Sequence, residues 1–342
     1  MVKSGESPDQ LPTLSIVIPT YNEERNIDRC LQSIFTQRYP QHSLEVIIVD
    51  DHSTDRTIEF AKTYDVRVLY SGMRDAELSK MIGLKEAQSD FFLYLDADIE
   101  LVGPDWIAHI LRPLLENDDV VGAFPRFLPR KDDAAIGRFL RYHPLELDPV
   151  LEFFCTDIDE TVERKAQGYS VCKFTPPKVP PIGICVYRRD ILWRIIGRMR
   201  RFMDIDVPVI LSENGYAKFA YVPECGIYHS NVRTIMDLVN RRLRNLHTIF
   251  LPDVENRRFR YFELSDPKAL RRILLWIVYA NSVLPSVIKG IYKTIEHRDI
   301  ACMCEAPASI MLTDLLVWGF MHDEKGRRLL MTGLRHLLAS RG

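Results

Sequence analysis

The sequence has no excess of positive charge and no ordered pattern of cysteines. Among its 342 residues, 45 Lys and Arg stand against 47 Asp and Glu, and the net charge of −2 gives no chain-wide attraction for a nucleic-acid backbone. The seven cysteines are odd in number, are scattered and include no C-x-x-C pair, so neither a disulfide framework nor a zinc site is indicated. These absences predict a chain in a reducing compartment without nucleic acid as a partner.

Glycine and proline are also too few, at 16 and 20, for a collagenous or low-complexity chain. Hydrophobic residues make up 46%, and the length predicts about two compact units. The polar start, Met1 to Leu11, lacks the apolar run of a secretory signal, so we expect the chain to begin in the cytosol.

Strand-like and helix-like segments alternate through the first hundred residues. Apolar, β-branched runs occur at 14–18, 44–49, 66–69 and 91–95, and helical patterns occur at 25–36, 56–63 and 76–87. Strands that alternate with helices of this length predict a largely parallel α/β sheet. Farther on, the pattern is weaker: it predicts a helix at 106–115, strands at 120–124, 182–187 and 219–222, and a helix that opens with Asp204-Ile205-Asp206.

Polar clusters follow three of these strands, at 19–23, 50–55 and 96–98. Ligands of such sheets bind at the carboxyl ends of the strands, so we expect these three loops to share one rim. Asp96 and Asp98 are two residues apart at a strand end, and extended geometry would turn both carboxylates to the same side. Such a pair suits Mg²⁺ or Mn²⁺, although acidic strand ends are also common as solvated turns or helix caps.

Three motifs occur together along the chain: Pro19-Thr20-Tyr21-Asn22-Glu23, Asp50-Asp51-His52-Ser53-Thr54-Asp55 and Asp96-Ala97-Asp98. In their order and spacing, the chain resembles the family 2 glycosyltransferases of the GT-A fold over residues 13–250. The resemblance implies a Rossmann-like, mainly parallel sheet that is flanked by helices. It also implies that the donor is a nucleotide-sugar, and specifically a UDP-sugar. It implies a donor site that contains Pro19, Thr20, Tyr21, Glu23, Asp51, Lys80, Asp96 and Ala97.

Within that donor site, the resemblance assigns the uracil to Thr20, Tyr21, Glu23 and Asp51, while Pro19 is expected to end the first strand and shape the loop. Asp51 is favoured as a base contact because Asp50 and Asp51 otherwise have no evident partner, whereas Asp55 is favoured as a helix cap. Asp96 would face the ribose or the metal.

The resemblance places a divalent cation, Mn²⁺ or Mg²⁺, on Asp98, with His229 after the last strand as a second candidate ligand. A lone histidine is also compatible with a structural role. The family's basic residue and glycine are matched by Lys80 and Gly83, but Met81 stands where an asparagine is usual. Lys80 is therefore either a diphosphate contact or an exposed surface charge.

An inverting transfer needs a carboxylate that takes the proton of the acceptor hydroxyl. The family's Glu-Asp base motif is matched by Met203-Asp204, so Asp204 is the first choice for the base and Asp206 the second. Both residues also suit the start of a helix, where negative charge is favoured.

The C-terminal third changes to helical patterns with basic and apolar residues. Arg241, Arg242 and Arg244 lie on an amphipathic helix predicted over 231–250 and are candidates to bind the diphosphate, a lipid phosphate or anionic head groups; a solvated basic face is equally compatible. The 16 uncharged residues 273–288 would span about 24 Å as a helix, less than the roughly 30 Å of a bilayer core. With Pro285 near the end, a kinked or interfacial segment is favoured.

A second apolar stretch, 306–321, is interrupted by Asp314. We favour a monotopic anchor, with a two-span hairpin or two core helices of a soluble domain as alternatives. The expected division is a polar tail 1–12, a nucleotide-sugar-binding half 13–125, an acceptor-binding half 126–230 and membrane-associating helices 231–342.

The hypothesis is an inverting, metal-dependent glycosyltransferase that acts on a lipid-linked or saccharide acceptor at the cytoplasmic face of a membrane. Its main rival is a catalytically silent nucleotide-sugar-binding or scaffold protein of the same fold, because Met81 and Met203 depart from the family pattern. A nucleotidyltransferase is disfavoured because the first loop, 19–23, contains no glycine.

Overall fold

The computed structural model of the protein describes residues 11–229, 232–260 and 266–339. It divides into two compact units, the first made of Met1–Arg126 and Ile158–His229, and the second of Phe127–Asp157 and Ser230–Gly342. Most of the predicted tail 1–12 lies outside the described residues. The predicted segment 126–230 is not a single unit, because its first thirty or so residues group with the C-terminal helices.

The first unit is built on a ten-stranded sheet. Its strands are β1 Leu14–Thr20, β2 Leu44–Asp50, β3 Arg67–Tyr70, β4 Phe91–Tyr94, β5 Ile99–Val102, β6 Val120–Phe127, β7 Val162–Ala166, β8 Tyr169–Lys173, β9 Val186–Arg188 and β10 Lys218–His229. The order is β3-β2-β1-β4-β9-β6-β10-β8-β7, and β5 pairs with β10.

The strands β3-β2-β1-β4 are parallel, as predicted. The pairs β5–β10, β8–β10, β4–β9, β6–β9 and β7–β8 are antiparallel, so the sheet is mixed rather than mainly parallel. The α/β prediction is confirmed, but the strand-helix alternation that produces parallel crossovers ends at β4, which β5 follows with no helix between them. The helices of this unit are α1 Ile27–Phe35, α2 Thr57–Ala61, α3 Ala76–Glu86, α4 Trp106–Glu116, α7 Arg189–Ile196 and α8 Val207–Glu213, with 3₁₀ turns at Gln41–Ser43 and Asp159–Thr161.

Strand β1 lies at the centre of the parallel half and is buried along its whole length. Helix α3 packs very closely on it: a Cβ at Gly83 would lie only 2.2 Å from Val17 Cγ1. Real Cβ atoms do not approach that closely, so the contact requires glycine. This contact fixes α3 beside the strand that leads into the first polar loop.

Pro19 does not end β1, which continues to Thr20. The ladder with β4 stops at Val17, and only β2 continues beside Pro19. A proline is tolerated here because one side of the strand no longer needs its backbone N–H group. His229 also differs from the prediction, since it is the last residue of a 12-residue strand and does not follow a loop.

The second unit is helical. Its helices are α5 Ala135–Arg141, α6 Pro149–Phe154, α9 Ile235–Asn245, α10 Leu251–Asp253, α11 Pro267–Asn281, α12 Leu284–His297, α13 Glu305–His322 and α14 Glu324–Ala339, with a π-helix at Leu246–Phe250 and a 3₁₀ helix at Ile300–Cys304. Apolar side chains from α5, α9 and α13 form its core, among them Phe139, Leu238 and Leu312. This core explains why the segment 127–157 groups with the C-terminal helices, although its own sequence pattern is weak.

The predicted kink is present: α11 and α12 are separated by a break of two residues and bend by 75°. Within the described residues, the helical stretch Ile300–His322 is long and apolar enough to cross a membrane by length and composition, and the bent pair passes the same test only if it counts as one span. Ala308 and Leu312 of α13 are fully buried in the core of the unit. One side of this helix therefore belongs to the core of the second unit, whereas Trp318 on the same helix is 57% exposed.

Candidate active site

The first two polar loops are joined by hydrogen bonds at the end of the parallel strands. The side chain of Asn22 accepts from the Thr54 backbone N–H at 2.8 Å, and the Asn22 N–H donates to the Ser53 hydroxyl at 2.9 Å. The Glu23 N–H donates to the Thr57 hydroxyl at 2.7 Å. The loops therefore form one rim, as the sequence predicts.

Asp50 is a structural residue of this rim. Its Oδ1 accepts from the Thr20 hydroxyl at 2.9 Å, and its Oδ2 accepts from the Ser53 N–H at 2.8 Å. The buried hydroxyl of Thr20 is thus engaged within the protein. The expectation that Asp50 and Asp51 lack partners is wrong, because residues distant in sequence supply donors to both.

Asp51 holds the segment that leads from β3 to α3. Its Oδ1 accepts from the backbone N–H groups of Met73 and Arg74, each at 2.9 Å, and from the Ser71 hydroxyl. Burial acts to raise the pKa of Asp51, but these hydrogen bonds outweigh it and hold the pKa below its usual value. Asp51 is therefore an anion at neutral pH.

The Arg74 guanidinium lies 4.6 Å from the centre of the Tyr21 ring. This cation–π contact brings the segment after β3 over the aromatic residue of the first loop. Sequence reasoning missed Arg74, since nothing in its neighbourhood distinguishes it from a surface arginine. Asp55, expected to be a cap, accepts from the Thr57 N–H at 3.0 Å and also from the Glu24 N–H at 3.1 Å.

Asp96, Asp98 and His229 offer one ligand atom each, and these three atoms lie within 4.8 Å of one another. Asp96 and Asp98 converge through a turn, closed by the Ile99 N–H on the Asp96 carbonyl at 3.0 Å, and not through continued strand geometry. His229 reaches them because β10 pairs with β5 and places it opposite Ile99. Its Nε2 lies 3.4 Å from Asp98 Oδ1.

The donor set of this cluster suits a divalent cation such as Mn²⁺ or Mg²⁺, which prefers carboxylate oxygens, while the imidazole suits Mn²⁺ better. Glu23 lies close enough to feel the same charges. Burial raises the pKa of Glu23, the hydrogen bond from Asn26 opposes this rise, and the charges of Asp98 and Asp96 add to it. Ala97, between the two aspartates, is buried.

Lys80 is buried and is not the exposed charge that the sequence left open. Its Nζ lies 3.3 Å from Glu77 Oε1, 3.5 Å from Asp204 Oδ2 and 3.9 Å from Asp96 Oδ1. Burial alone would lower the pKa of Lys80, but the three carboxylates outweigh it and raise the pKa, so the ammonium is charged. Burial in turn raises the pKa of Glu77, against the pull of the Lys80 ammonium.

Sequence reasoning missed Glu77, although its spacing of three residues from Lys80 on a helix is a recognisable pairing signal. Met81, which stands where the resemblance predicts an asparagine, is buried. A thioether at this position cannot donate the hydrogen bonds that an asparagine would offer.

Asp204 and Asp206 precede α8, as predicted, and they differ in environment. Asp206 is buried and is the N-cap residue of α8 without a side-chain cap bond. Asp204 is partly exposed, with a side chain 30% accessible, and its Oδ1 accepts from the Ile205 N–H at 2.8 Å. Asp204 thus combines access to solvent with a contact to Lys80.

The three arginines predicted on the amphipathic helix belong to the second unit. Arg242 Nε donates to the buried Asp148 at 2.7 Å, which gives this residue a structural partner. Arg244 is exposed, and Arg241 is partly buried. The helix that carries them begins with a capping box between Thr234 and Asp237.

Comparison with known proteins identifies the family. The profile of glycosyl transferase family 2 matches residues 15–195, more than half of the chain. A Methanococcus voltae dolichyl N-acetyl-α-D-glucosaminyl phosphate 3-β-D-2,3-diacetamido-2,3-dideoxy-β-D-glucuronosyltransferase is 34% identical over 91 residues, which cover 25% of this chain and 28% of that protein. The first curated relatives are matched over only 18% to 31% of their own lengths.

Two solved structures share the fold. The mannosyltransferase PcManGT from Pyrobaculum calidifontis, in complex with GDP-Man and Mn²⁺, is 18% identical with a TM-score of 0.50, over 99% of this chain and 88% of that one. Residues 1–349 of S. aureus TarS are 14% identical with a TM-score of 0.50, over 96% and 91% of the two chains.

The fold and the rim of acidic loops define a GT-A glycosyltransferase. The chain belongs to glycosyl transferase family 2, and the predicted fold and enzyme class are confirmed.

Proposed function

We propose that this glycosyltransferase is inverting and metal-dependent, and that it moves a sugar from a UDP-sugar to a lipid-linked or saccharide acceptor at the cytoplasmic face of a membrane. The observation that carries the proposal is the cluster of Asp96, Asp98 and His229 on the same rim as the first two polar loops. A nucleotide diphosphate needs such a cation site beside a pocket for its base.

The donor would bind across the rim. The Tyr21 ring and the ionised Asp51 are suited to a base, by stacking and by accepting a ring N–H. Glu23, Pro19 and Thr20 support the loop around them, and Asp96 and Ala97 would lie towards the ribose. Lys80 belongs to this site through its contact with Asp96.

The carboxylates of Asp96 and Asp98 and the imidazole of His229 would hold the cation, whose charge would offset the negative charge that grows on the leaving diphosphate. The Mn²⁺ complex of PcManGT, which shares the fold, supports this assignment. The chain's own groups would orient the donor so that the face of the sugar opposite the diphosphate remains open to the acceptor.

Asp204 would act as the base. As the acceptor oxygen forms its bond to the anomeric carbon, the bond from that carbon to the diphosphate oxygen breaks and its electron pair leaves with the diphosphate. The hydroxyl proton passes to the Asp204 carboxylate. Its partial exposure supports this assignment over the buried Asp206.

The decisive test measures the thermal unfolding of the full chain with a panel of UDP-, GDP- and dTDP-sugars in the presence of Mn²⁺ or Mg²⁺. Mass analysis then identifies the products formed on extracted lipids. A ligand at 100 times its Kd stabilises a protein by about 2.7 kcal/mol, so the correct donor should stand out clearly. Stabilisation by UDP-sugars only with a divalent cation, with glycosylated lipid or saccharide as product, is the expected result. Binding without turnover across the panel would favour the scaffold alternative.

The membrane part of the proposal is supported by the bent pair α11–α12. Both helices expose large apolar side chains at helical spacing, among them Leu275, Val278, Ile288 and Ile295, which are 57% to 73% exposed. Two short helices at 75° cannot form one straight span, but both can lie in the interface of a bilayer. Monotopic attachment to one face of the membrane therefore accounts for these exposed residues better than a two-span hairpin.

We expect Val278→Glu/Ile288→Glu to lower binding to vesicles with anionic lipids by at least about tenfold, since each substitution replaces apolar burial worth about 1.5–3 kcal/mol with a charge. Vesicle co-sedimentation measures the effect. Gln32→Glu/Gln88→Glu, which adds the same charge at exposed sites of the first unit, is the matched control and should bind as the wild type does. If vesicle binding fell equally in both double variants, net charge alone would govern binding, and the exposed apolar side chains of α11 and α12 would not contribute.

A further inference from the structure

We propose that Lys80 is a positioning residue that holds the carboxylate of Asp204 in place, and that it is not a ligand of the donor diphosphate. The inference rests on the proposed function, because it assigns Asp204 as the group that takes the acceptor proton. It concerns the part of the site that joins α3 to the segment before α8.

The surroundings of the Lys80 ammonium leave no room for a phosphate ligand. The side chain is 3% exposed, and Glu77, Asp204 and Asp96 lie within 3.3 to 3.9 Å of Nζ. The Tyr94 ring covers the ammonium with its centre 4.4 Å away. An ammonium has three N–H donors, and three carboxylates already surround it. Its interactions are therefore directed into the protein.

Separate contacts fasten the segment that carries Asp204 to α3 and its approach. The Phe202 N–H donates to the Glu77 carbonyl at 2.9 Å, and Arg201 Nε donates to Asp75 Oδ2 at 2.7 Å. The buried Phe202 ring packs edge-on against Tyr94, with centres 5.0 Å apart. The backbone before Asp204 is thus fixed, and two contacts set the direction of its carboxylate: the Ile205 N–H at Oδ1 and the Lys80 ammonium at Oδ2.

Glu77 completes the arrangement from the opposite side. Its Oε1 faces Lys80, whereas its buried Oε2 has no hydrogen-bond partner in the part of the chain that the structure describes. A buried carboxylate oxygen without a hydrogen bond costs free energy, and the Lys80 ammonium beside Oε1 offsets part of that cost. The evident effect of Glu77 is to hold the ammonium between α3 and Asp204, so Glu77 positions Lys80 as Lys80 positions Asp204.

The test compares Lys80→Met, Lys80→Arg and Glu77→Gln in steady-state kinetics, together with UDP titrations of each full-length variant in Mn²⁺. A displaced base lowers turnover by up to about 10²-fold, so Lys80→Met should lower kcat by at least tenfold while the UDP affinity stays within about twofold. Lys80→Arg keeps the charge and should recover part of the loss. In an Asp204→Asn background, Lys80→Met should add less than about twofold, because the residue through which it acts is already disabled.

A loss of UDP affinity of tenfold or more in Lys80→Met, with an unchanged kcat, would overturn the proposal and make Lys80 a diphosphate ligand. Additive losses in the double variant would overturn it as well. If Lys80→Met does not fold, Glu77→Gln is the deciding variant, because it keeps the shape of the Glu77 side chain and leaves Lys80 in place. We expect a severalfold lower kcat at constant KM in Glu77→Gln. An unchanged kcat would contradict the positioning role of Lys80. Absence of turnover in the wild-type chain would count against the proposed function instead, and the UDP titrations would still decide whether Lys80 binds the diphosphate.

Discussion

Asp204→Asn is expected to lower turnover by about 10² to 10⁴-fold and to leave UDP affinity almost unchanged. A positioned general base contributes a factor of this size, and the amide keeps the shape of the side chain but cannot accept the acceptor proton. The loss should therefore appear in kcat, since Asp204 is expected to act on the acceptor hydroxyl and not on the nucleotide. Initial rates with saturating donor, together with a UDP titration by calorimetry, measure the two quantities separately.

Asp206→Asn is the matched control, two residues away at the start of α8. Asp206 is buried, so we expect this variant to affect stability more than turnover. A fall in turnover confined to Asp206→Asn would exchange the roles of the two aspartates. A loss of UDP affinity in Asp204→Asn would make that residue a donor contact.

Asp98→Asn is expected to remove most of the cation dependence of nucleotide binding. With Mn²⁺ present, UDP affinity should fall by at least about 10 to 100-fold, because loss of even an outer-shell partner of a metal ligand has an effect of this size. Asp98 is the centre of the cluster, with His229 Nε2 only 3.4 Å from its Oδ1. UDP titrations with Mn²⁺, with Mg²⁺ and with a chelator measure the dependence.

Asp190→Asn provides the control for this variant, since Asp190 is an exposed carboxylate of α7 that pairs with Arg194 away from the rim. It should keep the wild-type response to Mn²⁺. If Asp98→Asn bound UDP as tightly as the wild type and with the same cation dependence, the cluster would not be the metal site and the donor assignment would lose its main support.

The parallel half of the sheet was predictable because its elements are short, strongly periodic and separated by polar loops. The runs at 14–18 and 44–49 lie within β1 and β2, and the three acidic loops lie where strands of that pattern must end. The convergence of Asp96 and Asp98 was also predicted, although a turn brings it about. The local sequence was enough to predict this part of the site, because the loops that follow neighbouring parallel strands all lie at the same edge of the sheet.

The rest depended on contacts between distant residues, which a single sequence does not display. The partners of Asp51 come from 71–74, and Lys80 is surrounded by side chains as distant as Asp204. The antiparallel strands follow the irregular middle third, where the run predicted over 182–187 gives only the short strand β9. The grouping of 127–157 with the C-terminal helices likewise depends on a core whose members lie far apart in the chain.

The tight approach of α3 to β1 also limits how this enzyme can vary. Position 83 has no space for any side chain, because even a methyl group there would overlap Val17. Position 81, two residues earlier, has accommodated a long apolar side chain. Close packing of the two backbones therefore restricts position 83 to glycine, whereas position 81 of the same helix holds a long side chain.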